Sequence, residues 1–323
     1  MADRNTARAT GLSPAHHQAQ FYSCREELVD AALPFLRDGV EERDLVFAVS
    51  GPGNVAAFRE RLGPRASKVA FADAGRWFAQ PLRTLRAVHA LADTAESRGS
   101  GYLRLLGEQP WCGRTPAQVA ASIRYEAVLD AVCADRGVRS LCPYDLSAAP
   151  AEAVNAARRA HPVLSGGSGP ARSPDYLGPH GLLAVCDSRE LPEPPPEAVV
   201  HGFAHPRDLL ALRHRVREYG TAAGLAPSRV QEVVLAVHEL AANILVHALS
   251  PGMIRMWAAP GDVVFDVVAP GPPPPPHPDG YLPPDLDGLG GRGLWLIQTL
   301  SGDVESGTTA AGATTRIHAG PDR

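Results

Sequence analysis

The strongest constraint on the fold is an alternation of short apolar runs with segments of helical period through the first half of the chain. Between Glu26 and Val40, apolar residues recur at Leu28, Ala31, Ala32, Phe35 and Leu36 and Gly39 offers a stop, which predicts a helix. Asp44 to Val49 follows as a nearly unbroken apolar run, the pattern of a strand buried on both faces of a parallel sheet. The turn Ser50-Gly51-Pro52-Gly53 leads into a helix through Phe58 and Leu62. The pattern continues with Val69 to Phe71, a helix from Pro81 to Ser97, a strand over Tyr102 to Leu106, a helix from Pro116 to Cys133 and a strand over Val138 to Cys142. Such alternation specifies an α/β layer fold with a mostly parallel sheet. Residues up to about His17 read as a flexible tail, and the first patterned segment begins at Gln20-Phe21-Tyr22.

A chain of 323 residues suits two domains, each able to bury its own core. Two breaks separate them: Ser165 to Pro170 is flexible by composition, and Leu191 to Pro196 is stiff and extended. Beyond the second, the pattern predicts a strand over Ala198 to Phe203, helices over Pro206 to Ala223 and Ser228 to Ala248, and strands over Ile254 to Ala258 and Val263 to Val268. A Pro- and Gly-rich loop from Pro270 to Gly293, a helix from Leu294 to Leu300 and a strand around Thr314 to His318 complete this part. No internal repeat is present.

The net charge of −4 offers no uniformly basic surface, so direct binding to nucleic acid through many phosphate contacts is not expected. Met1 to Gly11 lacks the apolar core of a signal peptide, and no stretch runs long enough without charge to span a bilayer. A cytoplasmic protein without a membrane partner is therefore expected. Cys24, Cys112, Cys133, Cys142 and Cys186 show no CxxC spacing, so they are read as reduced thiols and not as a zinc site.

Glu239, Asn243 and His247 stand four residues apart on a predicted helix, each turned about 40° from the last, and so share one face. Carboxylate and amide oxygens suit a hard cation such as magnesium, which commonly bridges protein to nucleotide phosphates. Further on, Gly288-Leu289-Gly290-Gly291-Arg292-Gly293-Leu294-Trp295 opens an apolar helix, where free backbone N–H groups, the helix dipole and Arg292 favour phosphate. Each feature alone has an ordinary reading: a solvated polar stripe for the first, a mobile surface loop for the second.

Together they resemble the ATPase domain shared by histidine kinases, Hsp90-type chaperones and the anti-sigma serine kinases, in its short anti-sigma form, over about Val199 to Ile317. The resemblance implies an α+β two-layer sandwich of the Bergerat ATP-binding type, with ATP and Mg2+ as cofactors. It puts Glu239 in the place of the carboxylate that activates a substrate hydroxyl and Asn243 in that of the magnesium and phosphate ligand. Gly291, Arg292, Gly293 and Leu294 take the place of the end of the ATP lid, and Gly312 with Thr314 that of the closing strand. Family members usually carry Asp-x-Gly after the strand that ends here at Val268, and this chain has Ala269-Pro270-Gly271. Gly271 keeps the turn, whereas Ala269 cannot accept the adenine amino group, at a cost of a few kcal/mol if that group stays unpaired. Asp266 would have to switch faces of its strand to substitute. A sensor histidine kinase is excluded, because Leu191 to Pro196 stands where its dimerisation helix would be.

In the first domain, Gly107 to Arg114, Arg124-Tyr125-Glu126, Cys142-Pro143-Tyr144-Asp145 and Ala160-His161-Pro162 gather charged and thiol groups after predicted strands, where open α/β sheets bind ligands. The favoured reading is that Trp111 and Tyr144 pack loops while Glu108, Arg114 and Glu126 form ion pairs. The same segments resemble the MEDS sensory domain, a degenerate relative of RecA- and KaiC-type ATPases, over about Gln20 to Tyr176. Ser50-Gly51-Pro52-Gly53-Asn54 has no Lys-Ser/Thr and is not a P-loop, which implies sensing or partner binding.

The expected plan is a tail over 1–18, a MEDS-like domain over 19–178, a Pro-rich linker over 179–197 and an ATPase-like domain over 198–323. It describes an anti-sigma regulator, compatible with a homodimer, whose partners are a sigma factor, its antagonist or both. The alternative is a scaffold that binds a partner without ATP. A third reading makes the first domain an enzyme acting through Cys112 or Cys142 and a base that the sequence does not locate.

Overall fold

The computed structural model describes residues 16–99, 102–167, 169–273 and 303–320. The chain divides into two compact units, Met1–Leu182 and Leu183–Arg323.

In the first unit the order is β1 (His17–Tyr22), α1 (Arg25–Glu42), β2 (Leu45–Ser50), α2 (Pro52–Leu62), β3 (Val69–Asp73), α3 (Ala74–Trp77), α4 (Pro81–Ser97), β4 (Leu103–Gly107) and α5 (Pro116–Asp135). Then come β5 (Val138–Asp145), α6 (Ala151–Ala160), β6 (Val163–Ser165), β7 (Ala171–Arg172) and α7 (Gly178–Asp187), the last spanning the division between units. The sheet runs β3-β2-β4-β5-β1-β6-β7 and is parallel except between β6 and β7. The alternation of apolar runs therefore did specify a mostly parallel sheet. Leu105, Leu106, Val46 and Ala48 are buried in its middle strands, as two-face burial requires.

One expectation is corrected here. His17 does not end a tail but opens β1, which lies between β5 and β6. The six residues His-Gln-Ala-Gln-Phe-Tyr hide their strand character behind polar side chains, and those side chains are satisfied inside the fold: Gln18 bonds Ser165 and Tyr22 bonds Glu108. The helix α5 is buried on nearly every side, from Val119 to Cys133, and is capped by Thr115 and Gln118 in a reciprocal pair.

The second unit contains β8 (Val199–Phe203), α8 (Asp208–Ala222), α9 (Pro227–Asn243), β9 (Gly252–Ala259), β10 (Asp262–Ala269), β11 (Asp303–Thr309) and β12 (Gly312–His318). The strands form one antiparallel sheet in the order β11-β12-β10-β9-β8. One face packs on the two helices: Val263, Phe265, Val267 and Ile317 join Leu212, Val216, Val233 and Val237 in one core, with the Tyr219 ring edge-on to Phe265 at 6.1 Å. This is a two-layer α/β arrangement. β11 was not predicted; it is an edge strand of Asp, Ser, Gly and Thr with a single core residue, Val304, and has little strand propensity of its own. The predicted helix Ser228 to Ala248 is an α-helix only to Asn243 and continues as a π-helical turn, Ile244–Ala248.

The opposite face carries charge. Asp266 is fully buried and holds Arg255 (Nη2 to Oδ2, 2.9 Å) and Arg316 (Nε to Oδ1, 2.7 Å; Nη2 to Oδ2, 2.9 Å). Residues expected to be a stiff, Pro-rich linker lie over this face. The Leu191 N–H donates to the Thr308 carbonyl at 2.8 Å, the Thr308 N–H returns a 2.8 Å bond to the Arg189 carbonyl, and Arg316 donates to the Pro192 carbonyl at 2.8 Å. Prolines cannot donate to a ladder, yet their carbonyls can accept, which is how a Pro-rich segment still docks.

At the end of β12, His318 lies 2.7 Å from Asp262 and 3.1 Å from Glu305. Burial lowers its affinity for a proton, but the two carboxylates outweigh burial and its pKa is pushed up to about 9. The folded value exceeds the unfolded value of about 6.5, so this stabilisation is complete below about pH 6.5 and disappears as pH rises through about 9. After partial solvent screening it amounts to on the order of 2 kcal/mol. Denaturant unfolding of the native chain and of His318→Gln should therefore differ by that amount near about pH 6, and converge near about pH 10. A gap independent of pH would assign His318 a packing role only.

Candidate functional site

Glu239 and Asn243 lie in the last turns of α9, both half-buried, at the border of its buried stripe Ala236, Val237, Leu240 and Ala241. Their spacing puts them on one face, and Asn243 is the last α-helical residue before the π turn. His247 falls within that turn. Ala269 ends β10 with the same alternation as Phe265 and Val267, and so faces the helix layer. It is on the side where the resemblance requires an acceptor, and its methyl group is none. Asp266 faces away and is consumed by two arginines, so it cannot take over that role.

Gly271 follows at φ 94°, and its carbonyl accepts the Ala313 N–H at 3.0 Å. Gly312, at φ 129°, starts β12 directly against this turn: a Cβ there would collide with the Ala269 carbonyl and meet Gly271 N at 3.0 Å. Thr314 lies in the closing strand β12, on the face away from the helices. Its hydroxyl bonds Thr309 at 3.0 Å and the Gly312 carbonyl at 3.1 Å on the Arg255 face, whereas Ala313 and Thr315 take the helix-facing positions alongside Ile317. The cause is the strict two-residue period of a strand. Gly291, Arg292, Gly293 and Leu294 lie outside the described residues, as does most of the Pro- and Gly-rich loop. The donors that are described fit the magnesium and phosphate end of a nucleotide through Asn243 and Glu239. Ala269, at the end of β10, supplies no side-chain acceptor.

In the first unit, β2 and β4 are neighbours whose connections depart in opposite directions, to β3 and to β5, the crevice where open α/β sheets bind ligands. Glu108 sits there and accepts hydrogen bonds from Tyr22, Ser50 and Asn54, the last at 2.9 Å, and from the Gly51 N–H at 3.4 Å. Burial of the Tyr22 phenol, and after it the Glu108 carboxylate, push that phenol well up. Trp111 stacks on Tyr144 at 5.7 Å, and Arg114 lies over Trp111 while bonding Ser122 and the Phe78 carbonyl. The loop packing expected for Trp111 and Tyr144 is thus what the fold shows, whereas Glu108, expected in an ion pair, is held by neutral hydroxyl, amide and backbone donors.

Glu126, Cys142 and His161 behave differently. They come from α5, from β5 and from the residue after α6, and they converge with His17 of β1. All four are buried, between 0% and 3% exposed. Burial works against the Glu126 carboxylate, but His161 and His17 hold it well below the usual range. Three of these residues stood out in the sequence as separate phrases. His17 was missed, since a His-His pair beside an apparent tail carries no signal of burial. The enzyme reading through Cys142 acquires a base, His17 Nε2 at 3.5 Å, and both groups are buried. Cys24 and Cys112 are exposed, and the described cysteines form no disulfide.

Among the described residues no helix is long and apolar enough to cross a membrane. No curated protein is similar enough to the chain to serve as a relative. Residues 16–162 match the family described as MEDS, the methanogen/methylotroph, DcmR sensory domain. Residues 203–318 match the histidine kinase-like ATPase domain family. These two matches fall on the parallel and the antiparallel sheet respectively, and the chain thus carries a MEDS domain followed by a histidine kinase-like ATPase domain.

Proposed function

We propose that the protein is a cytoplasmic anti-sigma regulator, in which the MEDS domain senses a signal and the ATPase-like domain acts as a serine/threonine kinase on a sigma factor's antagonist or captures the sigma factor itself. The observation that carries this reading is the pairing of Glu239 with Asn243 on one half-buried face of α9 in a domain of histidine kinase-like ATPase type. Asn243 would hold a magnesium ion through its amide oxygen, and Glu239 would take the proton from the partner's hydroxyl. Bound ATP supplies the phosphoryl group. A specific observation favours the second reading, a scaffold that binds a partner without ATP: Ala269 faces the helix layer with no acceptor.

Titration of the full chain with ATP and magnesium separates the two. Under the kinase reading the native chain binds, and Asn243→Ala weakens binding by at least about tenfold, the equivalent of ~1.4 kcal/mol. Ala269→Asp, which restores the acceptor, tightens it. Transfer of labelled phosphate to candidate antagonist proteins is lost in Glu239→Ala. Absence of binding in the native chain, with binding gained in Ala269→Asp, would establish the scaffold instead.

A further inference from the structure

The convergence of His17, Glu126, Cys142 and His161 is unlike an ordinary buried ion pair. Cys142 Sγ lies 3.5 Å from His17 Nε2, His17 Nε2 lies 3.3 Å from Glu126 Oε2, and His161 Nε2 lies 3.4 Å from the same oxygen. All four donor atoms fall within 4.8 Å of one another. Zinc bonds of about 2.0–2.1 Å to nitrogen, about 2.0–2.2 Å to oxygen and about 2.3 Å to sulfur give tetrahedral donor separations of roughly 3.3–3.6 Å. The three observed separations are of that size.

The surrounding groups turn these atoms inward. The Nδ1 of His161 bonds the Ala157 carbonyl at 2.8 Å, so that nitrogen carries a hydrogen and Nε2 is the atom turned to the cluster. His17 donates from Nδ1 to Asp130 Oδ1 at 3.2 Å, and Tyr176 holds the other Asp130 oxygen at 2.6 Å. Gln109 donates to Glu126 Oε1 at 2.6 Å, leaving Oε2 for the centre. Among the described residues no hydrogen bond satisfies Glu126 Oε2 or His161 Nε2, although both are buried. A lone pair facing a carboxylate oxygen in a dry interior is costly unless a cation lies between them. The outer partners are those of metal-bound histidines, whose second nitrogen usually meets a carboxylate or a backbone carbonyl.

We propose that His17, Glu126, Cys142 and His161 form a tetrahedral site for one divalent transition ion of the zinc class. Two imidazoles and a thiolate select a borderline-soft ion over magnesium or calcium, which need more oxygen donors. Four protein ligands leave no open position, so the site is structural or sensory and not hydrolytic. It ties the first strand, the buried helix α5, the central strand β5 and the end of α6 together, which couples occupancy to the stability of the MEDS domain. The sequence conceals it because the four ligands are scattered over the domain with no paired spacing.

The test uses the full chain. Metal content is measured on the purified protein, then Zn2+ and Co2+ are titrated into chelator-treated chain whose folding is checked by circular dichroism. One ion per chain is expected, with the intense visible bands of tetrahedral cobalt and a cobalt–thiolate charge-transfer band. Cys142→Ser abolishes the charge-transfer band. Asp130→Asn, at a residue hydrogen-bonded to His17 and Tyr176, lowers affinity about 10–100-fold while one ion still binds and the band persists. If the stripped chain unfolds and refolds on adding Zn2+, the coupling is seen directly. A folded native chain that takes up neither ion, or a cobalt spectrum unchanged by Cys142→Ser, overturns the proposal. None of these readouts depends on nucleotide binding.

Discussion

Asp266→Ala is expected to destabilise the ATPase-like domain by about 3–5 kcal/mol, the usual effect of removing one partner from a buried ionic group. Asp266 is the centre of the helix-free face: it bridges Arg255 on β9 and Arg316 on β12, both only 5–6% exposed. Without it two guanidinium groups face one another with no anion between them. Arg316 keeps the Trp257 ring, 4.9 Å below its guanidinium, and the Pro192 carbonyl; Arg255 keeps Glu193 at 3.3 Å and Thr309 at 3.1 Å. These contacts are neutral or half-exposed and compensate little. Urea unfolding of the full chain, with hydrogen exchange read at the β10 amides, measures the loss. A loss below about 1 kcal/mol would mean that water reaches the arginines on mutation. Nucleotide binding by the folded fraction should not change, because Asp266 faces away from the helix layer.

The second large effect is expected at Gly312. Its φ of 129° lies in a region that L-residues rarely occupy, and its Cα packs against the Ala269–Gly271 backbone, with Pro270 Cα only 3.0 Å from where a Cβ would sit. Gly312→Val combines backbone strain with overpacking, each about 1–3 kcal/mol, for a total of about 3 kcal/mol or more. The neighbour is backbone, so it cannot rotate aside. The β10–β12 ladder should open from the Ala269↔Ala313 end, which hydrogen exchange reads as lost protection at Ala313, whose N–H bonds Gly271. Gly261→Ala is a suitable control, since it also has positive φ but nothing within 4 Å of its Cβ position. Equal losses at both positions would attribute the effect to φ alone.

Much of this architecture was legible in one dimension. The helix from Glu26 and the strand over Leu45 to Val49 follow from local periodicity, and such patterns survive because each element buries a face of its own. The four-residue spacing of Glu239 and Asn243 likewise determined that they share a helix face before any packing was known. β1 and β11 were hidden, because one is a central strand with His and Gln whose polarity is neutralised by partners distant in sequence, and the other is an edge strand of weak propensity. The same limit applies to side-chain roles. Sequence determined two domains, their layer types and a Glu239–Asn243 pair on one face of α9. Only the tertiary structure decided that Thr314 faces away from that pair, that Asp266 is bound by two arginines, and that His17, Glu126, Cys142 and His161 meet. Those outcomes depend on strand register and on contacts across more than a hundred residues, and neither is encoded in any local pattern of polarity.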